Sequence, residues 1–224
     1  MGNRSFKNGD ISTWKQIILR YNNLYKQMLT KINGLESYDQ TGQQENHNTQ
    51  VIRRIKKAIQ NLHELDQTPQ KKPVCKYLED LIASSEGSNE DINDLLYLLN
   101  NVQHDLRWEF GYHEMPHDLA NKYAYTELLG PRGPVLARDI VLGLVLLGPD
   151  CCYPKHFHRN IAESYICLKG SCIINDKPLD SGEYFFNLPG EVHYLTTEVN
   201  TPCLLAYAWI SDKEKLRGKG MEFY

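Results

Sequence analysis

The apolar residues of this chain change their period partway along, and that change constrains the fold more than any other feature. Across residues 11–32 they recur at intervals of three and four, as Ile11, Trp14, Ile17, Ile18, Tyr21, Leu24, Tyr25, Met28 and Ile32, the stripe of an amphipathic helix. Ser12 stands where it can cap the first turn. A second stripe, Val51, Ile55, Ile59, Leu62 and Leu65, breaks before Pro69, and residues 74–82 and 92–106 supply two more helical segments. Between the first two, residues 37–50 are rich in Gln, Asn and Thr and read as a mobile linker.

Beyond Pro134 the pattern shortens to runs of β-branched, aromatic and aliphatic residues punctuated by Gly, Pro, Asn and Asp. These runs predict strands near 139–147, 151–157, 163–169, 171–175, 183–187, 191–197 and 202–210. Short strands at even spacing with no helix between them make an antiparallel barrel or jelly roll, so the fold class expected is α+β. The organisation that follows is a helical segment over 1–105, a barrel over 106–212 and a tail over 213–224.

Composition narrows the function classes. With 224 residues, 41% hydrophobic and 24% charged, the chain is of ordinary globular make-up. A net charge of −3 supplies no field for a polyanion, which argues against nucleic acid. The basic run Arg53-Arg54-Ile55-Lys56-Lys57 has helical spacing and reads as a solvated helix face. The longest apolar run, near residues 140–147, is interrupted by Gly143 and is far short of the roughly 20 residues of a membrane span. Mixed polar residues after Met1 offer no secretory core, and Phe6 stands where a myristoylation motif wants Ser or Thr, so a cytoplasmic location is expected. Six cysteines without a Cys-x-x-Cys are expected as reduced thiols.

The chemistry concentrates in the strand region. His156-x-His158 is followed by four residues and Glu163, then by Gly170 after six more. Residues two apart on a strand share a face, so His156 and His158 point together and Glu163 can meet them across the ladder. Gly182-x7-Gly190-x2-His193 brings a further imidazole from a later strand. Imidazoles with one carboxylate suit a divalent transition metal, Fe, Zn, Mn, Ni or Co. The string His113-Glu114-Met115-Pro116-His117 imitates a zinc protease motif, but Pro116 forbids the helical turn that motif needs.

Taken together, the two spacings resemble the motifs of the cupin superfamily. Pro189 stands one place later than usual, and Thr197 where an Asn is common. A closer resemblance covers roughly residues 105–212 and is to the cupin dimethylsulfoniopropionate lyases, through Tyr153-Pro154 ahead of the histidines and Glu163-Ser164-Tyr165 after them. Several such lyases have three residues between the second histidine and the glutamate where this chain has four, which leaves open which of His156 and His158 binds metal.

The resemblance implies a metal on His156, His158, Glu163 and His193, and cleavage of a β-sulfonio carboxylate to dimethyl sulfide and acrylate by loss of the proton α to the carboxylate. It implies Tyr165 as the base, Tyr153 as a second tyrosine that positions substrate or shuttles the proton, and Trp209 as a family tryptophan. Tyr165 has the parity of Glu163, and a nearby cation favours the ionised form of a phenol whose pKa is otherwise near 10. Tyr153 differs in parity from the histidines, which a bend at Pro154 would restore. Trp209, Phe157 and Tyr184 are candidate π faces for a sulfonium. The expected partners are a small-molecule carboxylate and, through the apolar helix stripes, either the barrel or a second copy of the chain; nucleic acid and membrane are not expected. Two other readings use the same ligands: a cupin dioxygenase or isomerase with Tyr165 outside the chemistry, and a non-catalytic small-molecule or sugar sensor. No helix-turn-helix in the first hundred residues argues against the sensor.

Overall fold

The computed structural model describes residues 10–33, 41–83, 88–111, 115–211, 216 and 222–223. Its helices are α1 (Ile11–Asn33), α2 (Thr41–Gln60), α3 (Leu78–Ala83), α4 (Glu90–Val102) and the single turn α5 (His117–Ala120), with a 3-10 turn over Pro73–Tyr77. Asp10, not Ser12, caps α1, its carboxylate accepting from Ser12 N. Residues 41–50 are not a linker but the first half of α2. Their polar composition hides two inward-facing positions, His47 and Asn48, which are buried; residues 37–40 of the expected linker lie outside the described residues. In the basic run, Arg53, Lys56 and Lys57 are exposed as expected, whereas Arg54 is half-buried and donates to the carbonyls of Asp139 and Ser211, tying α2 to the sheet below.

The strands are β1 (Tyr123–Gly130), β2 (Val135–Leu136), β3 (Ile140–Leu147), β4 (Cys152–Phe157), β5 (Ala162–Lys169), β6 (Ser171–Ile174), β7 (Lys177–Asp180), β8 (Tyr184–Asn187), β9 (His193–Thr196), β10 (Cys203–Ile210) and β11 (Glu222–Phe223). All seven expected strands are present. Four strands were not expected: β1, whose Glu127 and following Pro-Gly-rich turn obscure the pattern, and the short β2, β7 and β11. The strands form two sheets, β2-β1-β3-β10-β5-β8 and β11-β4-β9-β6-β7, in an open jelly-roll sandwich rather than a closed barrel. Among the described strands every pairing is antiparallel except the two-residue contact of β1 with β2.

Alternation along the six-stranded sheet divides the core in two. On β3, Ile140, Leu142, Leu144 and Leu146 pack under the helices with Trp14, Ile17, Leu24, Ile55, Leu95 and Leu99. Val141, Val145 and Leu147 face the other way, into the sandwich. On β10, Leu204, Ala206 and Ala208 go to the helices, while Leu205, Tyr207 and Trp209 go inward. The sheet is therefore buried on both faces, which is why its strands read as continuous apolar runs rather than as alternating ones. Gly143 lies where the backbone permits no Cβ: one built there would meet the Tyr207 ring at 2.5 Å. Its carbonyl accepts from Tyr21 Oη of α1 at 2.7 Å. No helix among the described residues is long and apolar enough to cross a membrane, and all six cysteines are free thiols.

Candidate metal centre

His156, His158, Glu163 and His193 converge inside the sandwich, with one ligand-type atom from each lying within 4.8 Å of all the others. Both histidines of the first motif are present in the cluster. Three features of the chain bring them there. His156 and His193 are direct ladder partners on β4 and β9. Glu163 projects from β5 in the opposite sheet. His158, just past β4, is held by its carbonyl, which accepts from Gly190 N at 2.8 Å. Gly190 has φ +85°, a conformation that favours glycine, and this lets the chain turn back into β9 in time to deliver His193.

The imidazoles are oriented by the backbone. His156 Nδ1 is 2.9 Å from Pro154 O and His193 Nδ1 is 3.2 Å from Glu191 O, so each ring donates from Nδ1 and turns the lone pair of Nε2 toward the cluster. Burial, then the neighbouring His193, pushes His156 down to about 3, with Glu163 opposing; the ring stays neutral, the form that binds a cation. Burial would raise the Glu163 carboxyl, but the imidazoles of His158 and His193 outweigh it and hold the group ionised, well below the usual carboxylate range. Glu163 Oε2 lies 3.3 Å from His158 Nε2 and 2.9 Å from His193 Nε2. Neither Glu163 Oε2 nor His193 Nε2 makes a well-formed hydrogen bond. Buried polar atoms that converge without satisfying one another are what a cation's donor set looks like. The residues fit a divalent transition metal.

An aromatic cavity adjoins the cluster, lined by Tyr123, Tyr125, Tyr153, His156, Glu163, Tyr165, Tyr207 and Trp209 with Val145, Leu147 and Leu195. Tyr165 lies two residues from Glu163 on β5, its ring 6.3 Å from that of His193. Tyr153 shares the cavity despite its odd spacing from His156. The ladder pairs Tyr153 with Leu195 and His156 with His193, three steps on β4 against two on β9, so a bulge restores the parity. Its ring stacks edge-on against His156 at 4.6 Å. Trp209 lines the cavity and donates Nε1–H to Glu163 Oε1 at 2.5 Å.

Phe157 and Tyr184 are not brought to this cavity. Phe157 follows His156 on β4 and takes the opposite face, paired with Glu222. Tyr184 lies under the helices, donating Oη–H to Asn48 Oδ1 at 2.8 Å and packed edge-on to Tyr25. Tyr123, Tyr125 and Tyr207 are not among the expected site residues, although Tyr-x-Tyr on β1 and Tyr-x-Trp on β10 carry the two-residue period of one strand face. In the protease-like string, Pro116 has φ −53° and ψ 136°, outside the helix that begins at His117; His113 and Glu114 lie outside the described residues.

Behind the cluster, on the helix side of β5, Ser164 Oγ is hydrogen-bonded to Tyr25 Oη of α1 at 2.7 Å and to His47 Nε2 of α2 at 2.8 Å. Ser164 stands between Glu163 and Tyr165, so both helices hold the strand that carries them.

Comparison with known proteins bears on the family and the fold. The chain is 42% identical over 158 residues to the putative dimethylsulfoniopropionate lyase DddL of Cereibacter sphaeroides, a match covering 70% of this chain and 67% of that one. A crystal structure from work on the dimethylsulfoniopropionate lyases RdDddP and RnDddQII superposes with a TM-score of 0.67 at 17% identity, covering 95% of this chain and 98% of that one. The lyase DddQ from Ruegeria pomeroyi superposes with a TM-score of 0.59 at 19% identity, over 71% and 85% of the two chains. At such identities the two structures speak to the fold. Residues 46–205, more than half of the chain, match the model of the dimethylsulfoniopropionate lyase family, and the chain belongs to that family.

Proposed function

We propose that this chain cleaves dimethylsulfoniopropionate, or a close analogue, into dimethyl sulfide and acrylate, with Tyr165 as the base. The observation that carries the reading is a single cavity lined by Tyr165, by His156 and Glu163 of the His/Glu cluster, and by a wall of aromatic rings. His156, His158, Glu163 and His193 would hold a divalent cation drawn from Fe, Zn, Mn, Ni and Co. Such a cation supplies Lewis acidity, which makes the carbon α to a bound carboxylate more acidic.

The remaining work falls to the chain. Tyr165, ionised, takes the α proton; the electron pair left on the α carbon forms the carbon–carbon double bond as the carbon–sulfur bond breaks and neutral dimethyl sulfide departs. Tyr153, stacked on His156, closes the cavity beside the reacting carbon. The rings of Tyr123, Tyr125, Tyr207 and Trp209 exclude water and offer π faces to the sulfonium. Trp209 keeps Glu163 in place through Oε1. The test is direct: metal-loaded protein incubated with dimethylsulfoniopropionate and its headspace assayed for dimethyl sulfide. Release is expected; no release from protein with full metal content would replace this reaction with another cupin chemistry at the same ligands.

A further inference from the structure

Asn187 closes β8, the edge strand of the six-stranded sheet, and the ladder sets it directly opposite Glu163. Directly opposed residues of an antiparallel pair project to the same side with Cβ atoms about 5 Å apart, so the amide of Asn187 stands beside the Glu163 carboxylate on the inner face. The residue is 2% exposed. Its Nδ2 has no hydrogen-bond partner. A buried amide donor left unpaired costs about 1–3 kcal/mol, and an apolar residue there would avoid that cost, so stability alone gives no reason for it.

The other ladder neighbour of Glu163 sharpens the point. Trp209, on β10, occupies Glu163 Oε1 with its indole N–H. One flank of the carboxylate is thus closed by a donor already in use, and the other carries a donor in reserve. Asn187 also borders a surface groove with Gln44, Lys177 and Glu191.

We propose that Asn187 is a substrate-positioning residue whose Nδ2–H donates to a carboxylate oxygen of the molecule bound at the cluster. A carboxylate offers about four acceptor sites, more than a cation alone uses, so a neutral amide can fix the orientation of the group without competing for the cation's place. The same bond strengthens as negative charge moves onto the carboxylate oxygens during α-proton loss. The proposal rests on the lyase reading for its choice of carboxylate.

The test uses full-length, metal-loaded protein and acrylate as the probe. Acrylate binding is measured by calorimetry in the wild type, in Asn187→Ala and in Asn187→Leu, the leucine filling the amide's volume should the alanine variant lose fold or metal. Binding about tenfold weaker is expected in both variants, the equivalent of one lost hydrogen bond. Metal content by elemental analysis should be unchanged and the melting temperature unchanged or raised, since an unpaired buried donor has gone. KM for dimethylsulfoniopropionate should rise more than kcat falls. Acrylate binding within twofold of the wild type in both variants at full metal content overturns the assignment. A wild type that binds acrylate but releases no sulfide overturns the lyase reading instead, while weakened acrylate binding in the variants would still support Asn187 as the carboxylate donor.

Discussion

Trp209 Nε1 donates to Glu163 Oε1 at 2.5 Å from the neighbouring strand, so the residue expected to present a π face to substrate also holds the one carboxylate of the candidate metal centre. Trp209→Phe keeps a ring in the cavity and removes the donor. Partners that orient a metal's ligands typically contribute 10–100-fold to affinity. The variant is therefore expected to lose metal to a competing chelator at roughly 10–100-fold lower concentration, and unchanged chelator sensitivity would assign Trp209 to packing alone.

Tyr165→Phe removes only the ionisable oxygen of a buried ring. Turnover of dimethylsulfoniopropionate is expected to fall by about 10² to 10⁴, the range for loss of a general base, with metal content retained. Tyr153→Phe should cost less. Sulfide release that survives Tyr165→Phe would move the base elsewhere in the cavity.

Metal and activity should disappear together in His193→Ala, because this imidazole faces Glu163 Oε2 at 2.9 Å and its ring lies 4.1 Å from that of His156. Elemental analysis checks it: full occupancy in both His193→Ala and Glu163→Ala would exclude these residues as the ligand set.

The metal-free protein is expected to lose stability as the pH falls from 7 toward 4. Two buried histidines are held down to about 3, His156 by burial and the neighbouring His193 and His158 against the pull of Glu163, His47 by burial and the charge of Arg54 against the same pull. The unfolded chain protonates near 6.5 and the folded one only near 3, so below about pH 6.5 the unfolded state holds more protons and folding weakens by up to about 1.4 kcal/mol per pH unit for each group. The depressed carboxyl of Glu163 adds loss of the same sign below its ordinary range. Thermal melts of chelator-treated protein measure it, and a melting temperature flat from pH 7 to 4 would contradict both assignments.

A chain starting at residue 105 should aggregate or fail to fold. It would expose Ile140, Leu142, Leu144, Leu146, Ile166, Leu168 and Leu204, all buried under the helices. Fully burying such a side chain is worth roughly 1.5–3 kcal/mol, so their combined loss is as large as the ordinary stability of a domain or larger. Expression of that fragment as a soluble monomer with full activity would show the helices to be dispensable.

Much of this architecture was legible because periodicity and spacing are local signals. The stripes of α1 and α4, the seven runs beyond Pro134 and the four ligand-type residues all announce themselves within short windows. What escaped depends on contacts remote in sequence. His47 and Asn48 look like linker polarity until α2 lies over β5 and gives them partners at Ser164 and Tyr184. The parity of Tyr153 follows from a bulge, which no count along the strand reveals. Tyr184 and Phe157 have the aromatic character of a cage, but the strand face each occupies sends them elsewhere. Asn187 carries no motif, and only its pairing with Glu163 singles it out.

Ser164 makes β5 a party wall between two compartments. Its neighbours in sequence furnish the chemical room on one side, while its hydroxyl is bolted to Tyr25 and His47 in the helical room on the other. A shift of either helix has no need to travel through the cavity to reach Tyr165 and Glu163, because it moves the partition on which both are mounted. Differences in turnover between otherwise similar chains can therefore originate in α1 and α2, at Tyr25 and His47, which stand on the helix side of the wall.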